Sequence, residues 1–184
     1  ELTEDRLRDA AERVRRLAAW TVRTQRETGA RADVFTAPAA ASVIGLAAAR
    51  RAVRVTTTPH ASDVLPLRGP ARVIEFAPPR NIAIGAETPW GLGDPLDDLL
   101  PGSTAARYGE DDLARIDEPA ALAPADPAEP LVLVVRDLHR HEWMRAAVTS
   151  LLAVRPDAVV VEMGLPELIT GAVHLATFGA TRAC

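Results

Sequence analysis

The chain has 184 residues, a net charge of −4, 48% hydrophobic and 25% charged residues. A chain of this length and balance can bury roughly 70% of its unfolded surface, so it folds as a globular domain without staples. The acidic balance argues against nucleic acid, whose affinity comes from neutralising phosphates. No apolar run approaches the roughly 18 residues a membrane helix needs.

One cysteine, Cys184, excludes a disulfide framework and a cysteine-based zinc site. Aromatics make up only 4%, so the core must be built from Ala, Val, Leu and Ile. Lysine is absent and every basic side chain is Arg. The chain begins at Glu1 without a signal peptide and stops abruptly at Cys184, so it reads as a fragment. Localisation is not legible from it.

In chain order, residues 3–28 predict a long amphipathic helix. Thr3 can cap it, Leu7, Ala10, Ala11, Val14, Leu17 and Ala18 recur at helical spacing, and Gly29 is a natural stop. Residues 38–51 predict a second, Ala-rich helix with Pro38 in its first turn. The period then changes. "VRVTTT" at 53–58 and "ARVIEFA" at 71–77 predict strands, joined by the short connection "DVLPLRGP".

Residues 78–130 carry many of the prolines, with Gly85, Gly91, Gly93, Gly102 and Gly109 among them. They predict a long irregular segment with one short helix near Glu110 to Arg115; a loop of that length in a compact domain is usually functional or wraps a neighbour. Beyond it, "LVLVVR" predicts a buried strand. "HEWMRAAVTSLLAVR" predicts a helix with Trp143, Ala146, Ala147 and Leu151 on one side, and "DAVVVEMG" at 157–164 a second buried strand. Near-continuous apolar strands joined by a helix imply parallel pairing with a right-handed crossover. A last strand is expected within 172–180. The expected architecture is α/β: a three-layer sandwich with a mainly parallel sheet.

Candidate chemistry concentrates in "RDLHRHEW", where two of the four histidines stand three residues apart counting both ends. Ligands of parallel sheets sit outside the carboxyl ends of strands, and Arg136, Asp137, His139 and His141 fall at such an end. Three readings stay open. Asp137 can cap the following helix while Glu142 suits its first turn. The rim can contact another domain or a ligand, with His as proton shuttle and Asp137 orienting it. Or His139, His141 and Glu142 can hold a metal, which needs three or four converging ligands. Glu162 ends the next strand beside Arg136, where a structural ion pair is the expected arrangement. "GLGDP" at 91–95 lacks the third glycine of a dinucleotide fingerprint and is set aside. The aspartate pairs Asp97-Asp98 and Asp111-Asp112 are sequence neighbours, which do not face each other on a helix, so they read as solvated.

The succession "LTEDRLRDAAERVRRLAAW", "AASVIGLAAARRAVRVTTT" and "VLPLRGPARVIEFAP" resembles glycoside hydrolase family 3. There a helix closes the catalytic barrel, and a second Ala-rich helix feeds a strand, a Leu-Pro-Leu hairpin and a further strand. The tail, "LVLVVRDLHRHEWM" through "RPDAVVVEMGLP" to "GAVHLATFGATRA", is similar to the second domain of bacterial members acting on β-N-acetylglucosaminides. The resemblance covers essentially the whole chain and rests on order and local pattern.

It implies that residues 1–30 link to a (β/α)8 barrel and that residues 31–184 form the α/β sandwich packed on it, with a final helix expected beyond the last residue. In that branch the nucleophilic Asp and the Asp-His acid/base pair lie on the barrel. No Lys-His-Phe-Pro-Gly stretch is present here, and no motif carries the acid/base role of other branches onto Glu162. The resemblance therefore implies an accessory domain with no catalytic residue and no cofactor of its own. Arg136, Asp137, His139, His141 and Glu162 would form a rim facing the barrel or its sugar. The alternative is a free-standing domain that binds a sugar or small anion at the His139 and His141 rim.

Overall fold

The computed structural model describes residues 3–28, 38–59, 61, 63–79 and 91–180. The expected stop at Gly29, Gly85 and the terminal Cys184 lie outside them. The chain divides into two compact units, Glu1–Ile44 and Gly45–Cys184.

The first unit contains α1 (Glu4–Thr28), and α2 (Pro38–Ala52) begins in it. The Thr3 hydroxyl accepts the Arg6 amide at 3.4 Å, as its capping role requires. Glu4, Asp5, Asp9 and Glu12 pair with Arg8, Arg13 and Arg15 at three- and four-residue spacing along the polar face. These pairs are solvated and add little stability each. The apolar face is open: Leu7, Val14, Leu17 and Trp20 are all more than half exposed.

The second unit is a six-stranded sheet flanked by helices on both faces. Its strands are β1 (Arg54–Thr57), β2 (Arg72–Phe76), β3 (Thr104–Tyr108), β4 (Leu131–Val135), β5 (Val159–Glu162) and β6 (Val173–Ala176). The order is β1-β6-β5-β4-β2-β3. All neighbours run parallel except β1, which runs antiparallel to β6 with Thr56 opposite His174. The expected α/β sandwich with a mainly parallel sheet is the observed fold.

The layers follow from handedness. From β2 the chain steps outward to β3, then returns past β2 to β4 and continues to β5 and β6. Right-handed crossovers in opposite directions fall on opposite faces. Accordingly α3 (Gly93–Leu99), between β2 and β3, lies on one face, where Leu92 and Leu96 pack with Val73, Val132, Val134, Val161 and Val173. Helix α5 (Glu142–Val154), between β4 and β5, lies on the other. There Met144, Ala147, Val148 and Leu151 pack on Ile74, Phe76, Leu133, Val135 and Val160. The segment around Val64, Leu65 and Leu67 covers the α3 face. It forms no hairpin; its Leu65–Pro66 bond is cis.

Two sequence expectations change. Residues 80–90 of the segment 78–130 lie outside the described residues; the part from 91 to 130 is more ordered than its prolines suggest, supplying α3, the edge strand β3 and a 3-10 turn at Pro119–Leu122 besides the short helix α4 (Glu110–Leu113). Strand β3, "TAARY", was missed because its side chains are exposed or half-buried, so neither alternation nor an apolar run marks it. Of the face expected for α5, Ala147 and Leu151 are buried and Trp143 is half-buried, but Ala146 is exposed, and Met144 and Val148 complete the buried side.

At the amino ends of the strands a buried arginine closes the sandwich. Arg155 bonds Asp157 at 2.9 and 2.8 Å and the Glu129 carbonyl at 2.9 Å. Its hydrogen bonds hold the Asp157 carboxyl below the usual carboxylate range. Leu133, fully buried in the central strand β4, tests the core. Leu133→Ala is expected to lower unfolding free energy by about 2–5 kcal/mol, read as a drop in urea midpoint at unchanged slope.

Candidate functional site: the carboxyl edge of the sheet

The carboxyl ends of the parallel strands are organised by two buried glutamates. Each breaks an apolar strand, "VIEF" and "VVVE". A carboxylate in such a place is tolerated only when its oxygens are fully engaged.

Glu162, 1% exposed, ends β5 opposite Val135 of β4. Its carboxylate accepts the backbone amides of Asp137 at 2.8 Å, Leu138 at 3.0 Å and Gly164 at 2.6 Å. Its carbonyl accepts the Thr177 amide at 3.0 Å and the Thr177 hydroxyl at 3.3 Å. One residue therefore fixes the chain where it leaves β4, β5 and β6. The ion pair expected between Glu162 and Arg136 is not formed. Glu162 is taken by amides, and the Arg136 side chain makes no hydrogen bond or ion pair with any described residue.

Asp137 does not cap α5 as expected. It sits in the left-handed region at φ 53°, and its Oδ1 accepts the Leu165 amide at 3.0 Å. The residue that caps α5 is His141, whose carbonyl accepts the Arg145 amide at 3.1 Å while its ring caps nothing. Glu142 does occupy the first turn. Phe178, just past β6, is the other non-glycine at positive φ (57°) among the described residues and is half exposed. Both strained positions thus stand at strand exits tied to Glu162, the kind of place where strain is retained when the surroundings over-determine it.

Glu75 plays the matching part for β2. Its Oε2 takes two bonds from Arg107 of β3 at 2.9 and 2.6 Å, and its Oε1 accepts the amides of Leu92 at 2.8 Å and Gly93 at 3.1 Å. The Gly-Leu-Gly stretch is therefore a cradle for the chain's own carboxylate. Gly91 has φ +109°, and a Cβ there would fall on the Glu75 carboxylate, so glycine is required on both counts. A dinucleotide phosphate has no place at amides already filled by Glu75.

The two rim histidines, separated in sequence by Arg140, are engaged differently. His139 lies in the 3-10 turn Leu138–Arg140. Its Nε2 is 3.7 Å from Glu167 and 3.3 Å from the Arg140 guanidinium, while its buried Nδ1 has no partner among the described residues. An Nε2 that accepts from Arg140 leaves the proton on that orphaned Nδ1; a proton on Nε2 serves Glu167 instead. His141 leans on Trp143 at 6.1 Å, and Trp143 meets Phe76 edge-on at 6.4 Å. No three His, Cys, Asp or Glu side chains among the described residues converge as a metal cage, so His139, His141 and Glu142 do not make one. Sequence reasoning missed Glu75, Arg107 and His174. A lone charge between Ile74 and Phe76 is the signal that could have found the first.

Comparison of the chain with protein families, characterised proteins and solved structures finds no match.

The Glu162 knot has a measurable weight. Glu162→Gln presents an amide donor to at least one backbone N–H and is expected to cost about 1–3 kcal/mol; Glu162→Ala orphans three and costs more. Chemical denaturation gives the order, and amide exchange should quicken first at Asp137, Leu138 and Gly164.

Proposed function

We propose that this chain is the accessory C-terminal domain of a family 3 glycoside hydrolase of the β-N-acetylglucosaminidase type, packing on a (β/α)8 catalytic domain and inactive alone. The observation that carries the reading is the state of the two carboxylates at the carboxyl edge. Glycoside hydrolysis needs two carboxyl groups about 5–10 Å apart with room for a sugar between them. Glu75 and Glu162 are both buried: Glu75 is spent on Arg107 and two backbone amides, and Glu162 on three backbone amides. An edge built this way supports loops and leaves proton transfer to another domain. The open apolar face of α1, with Leu7, Val14 and Leu17 exposed, is the surface such a reading gives to the barrel. The rim of Arg136, Asp137 and His139 then faces the barrel or its sugar.

The test is hydrolysis of a chromogenic β-N-acetylglucosaminide by this chain, beside the same chain joined to an N-terminal family 3 barrel. Turnover only by the joined form is expected; turnover by the chain alone above a buffer blank refutes the reading.

A second reading, a free-standing sugar- or anion-binding domain, draws on Arg136, whose side chain has no partner among the described residues, and on the buried Nδ1 of His139, which has none among them either. It expects saturable titration heats with N-acetylglucosamine or inorganic phosphate that vanish when His139 and His141 are both changed to Ala. Equal heats in both proteins remove it.

A further inference from the structure

Parallel neighbours are ordinarily joined by a crossover helix. Between β5 and β6 there is none: residues 163–172 form a strap of turns and bends. The strap runs across the α5 face. A Cβ on Gly171 (φ +80°) would stand 3.0 Å from Val160 of β5 and 3.5 Å from Leu152 of α5. Beneath it lies His174, 1% exposed, on the strand position that pairs with Val160.

The strap's fastenings are unusual in kind. Among the described residues, no backbone group of 164–171 bonds to backbone outside the strap. Its ends are held by backbone, the Met163 amide on the Val135 carbonyl and the Thr58 amide on the Ala172 carbonyl, both at 2.9 Å; between them the fastenings are side chains, most of them ionisable. Gly164 donates to Glu162, Leu165 donates to Asp137, Glu167 faces His139, and Thr170 meets Nδ1 of His174. The last contact reads two ways. The Thr170 amide can donate to Nδ1 at 3.4 Å, or a protonated Nδ1 can donate to the Thr170 carbonyl at 3.3 Å. In either tautomer Nε2 is buried without a partner among the described residues.

We propose that the β5–β6 strap is an acid-released latch: protonation of His174 beneath it lifts residues 164–171 and dismantles the Asp137 and His139 rim that the strap completes.

A second proton on the imidazole makes both nitrogens donors. Nδ1–H keeps the Thr170 carbonyl at 3.3 Å, but the Thr170 amide loses its acceptor, and a cation whose Nε2–H has no partner among the described residues is left in the core. The groups around the ring do not rescue it in place. Glu162 on β5 attracts the charge, but its oxygens already hold three amides. On β1, Thr56 lies opposite and Arg54 follows on the same face, its guanidinium bonded to the Arg51 carbonyl. Arg145 of α5 is engaged on the His139 carbonyl at 2.8 Å, and Glu167 pairs with His139. Hydration of the imidazolium therefore requires that the strap move, and Leu165, Leu168 and Ile169 on its outer side are already exposed.

The sign follows from linkage. Burial lowers the His174 value from its usual place, opposed in part by the Thr170 hydrogen bond and by Glu162. A lowered value means that the closed strap is favoured above the ordinary imidazole range, about pH 6.5. That advantage is lost as pH falls toward the lowered value. Across this window the opening equilibrium grows as pH falls, by at most about tenfold per pH unit for the one proton involved.

The experiment is amide exchange on the intact chain between pH 7.5 and 5, corrected for intrinsic rates, together with the NMR titration of the His174 ring. Protection at Leu165 and Thr170 is expected to fall in step with ring protonation while Leu133 and Val134 stay protected. In His174→Gln, which can still accept from Thr170 but does not titrate, that fall should disappear. Three results overturn the proposal: ring titration with unchanged strap protection, the same pH dependence in His174→Gln, or simultaneous loss at Leu133 and Val134. The ring titration in the unmodified chain decides the matter even where the variant folds poorly. All of these are read on the isolated chain, so their failure is distinct from failure of the glycoside hydrolase reading.

Discussion

A buried carboxylate that accepts three backbone amides does at one point what a long loop ordinarily does with many contacts. Glu162 stands where β5 ends, and the exits of β4 and β6 converge on it, the first through its side chain and the second through its carbonyl. Each amide offsets part of the cost of taking the charge out of water, and the carboxylate in turn satisfies donors that no helix or ladder reaches. The positive-φ residues Asp137 and Phe178 persist because this knot leaves their backbones no choice. The rim's shape thus depends on a residue that never faces solvent.

The same device recurs across the switch in strand order. Glu75 gathers Arg107 and the amides at the start of α3, as Glu162 gathers those around β4 and β5. A doubly wound sheet opens a crevice where the crossovers part to opposite faces, and such crevices commonly hold a ligand's negative charge. Here the chain supplies the charge itself. The amides of the Gly-x-Gly turn at this position are therefore already taken by Glu75.

The two faces of the sheet are protected to different degrees. Helix α5 covers β4 and the middle of the sheet with Met144, Ala147, Val148 and Leu151. Over β5 and β6 the cover thins to the strap, and β1 beyond it is exposed along its whole length. Segments held by few apolar contacts open at lower free energy than the core they cover. The mechanical weakness and the ionisable fastenings therefore coincide at one end of the sheet.

Periodicity and composition determined much of this protein. The 25-residue amphipathic helix, the Ala-rich second helix and the apolar runs at Leu131–Val135 and Val159–Glu162 are local signals, strong because each lies within one element. The jump from apolar strand to "RDLHRH" marked a strand exit, and the exit is there. What only the tertiary structure decided are the pairings between elements distant in sequence. β3 exists because β2 offers it a free edge, not because its own residues demand a strand. Asp137 turned from helix cap to loop anchor because Leu165 arrives 28 residues later. Glu162 exchanged an arginine for amides because the backbone reaches it first. A sequence fixes which residues are able to bond; the register of parallel strands fixes which of them meet, and that register is a property of the whole sheet.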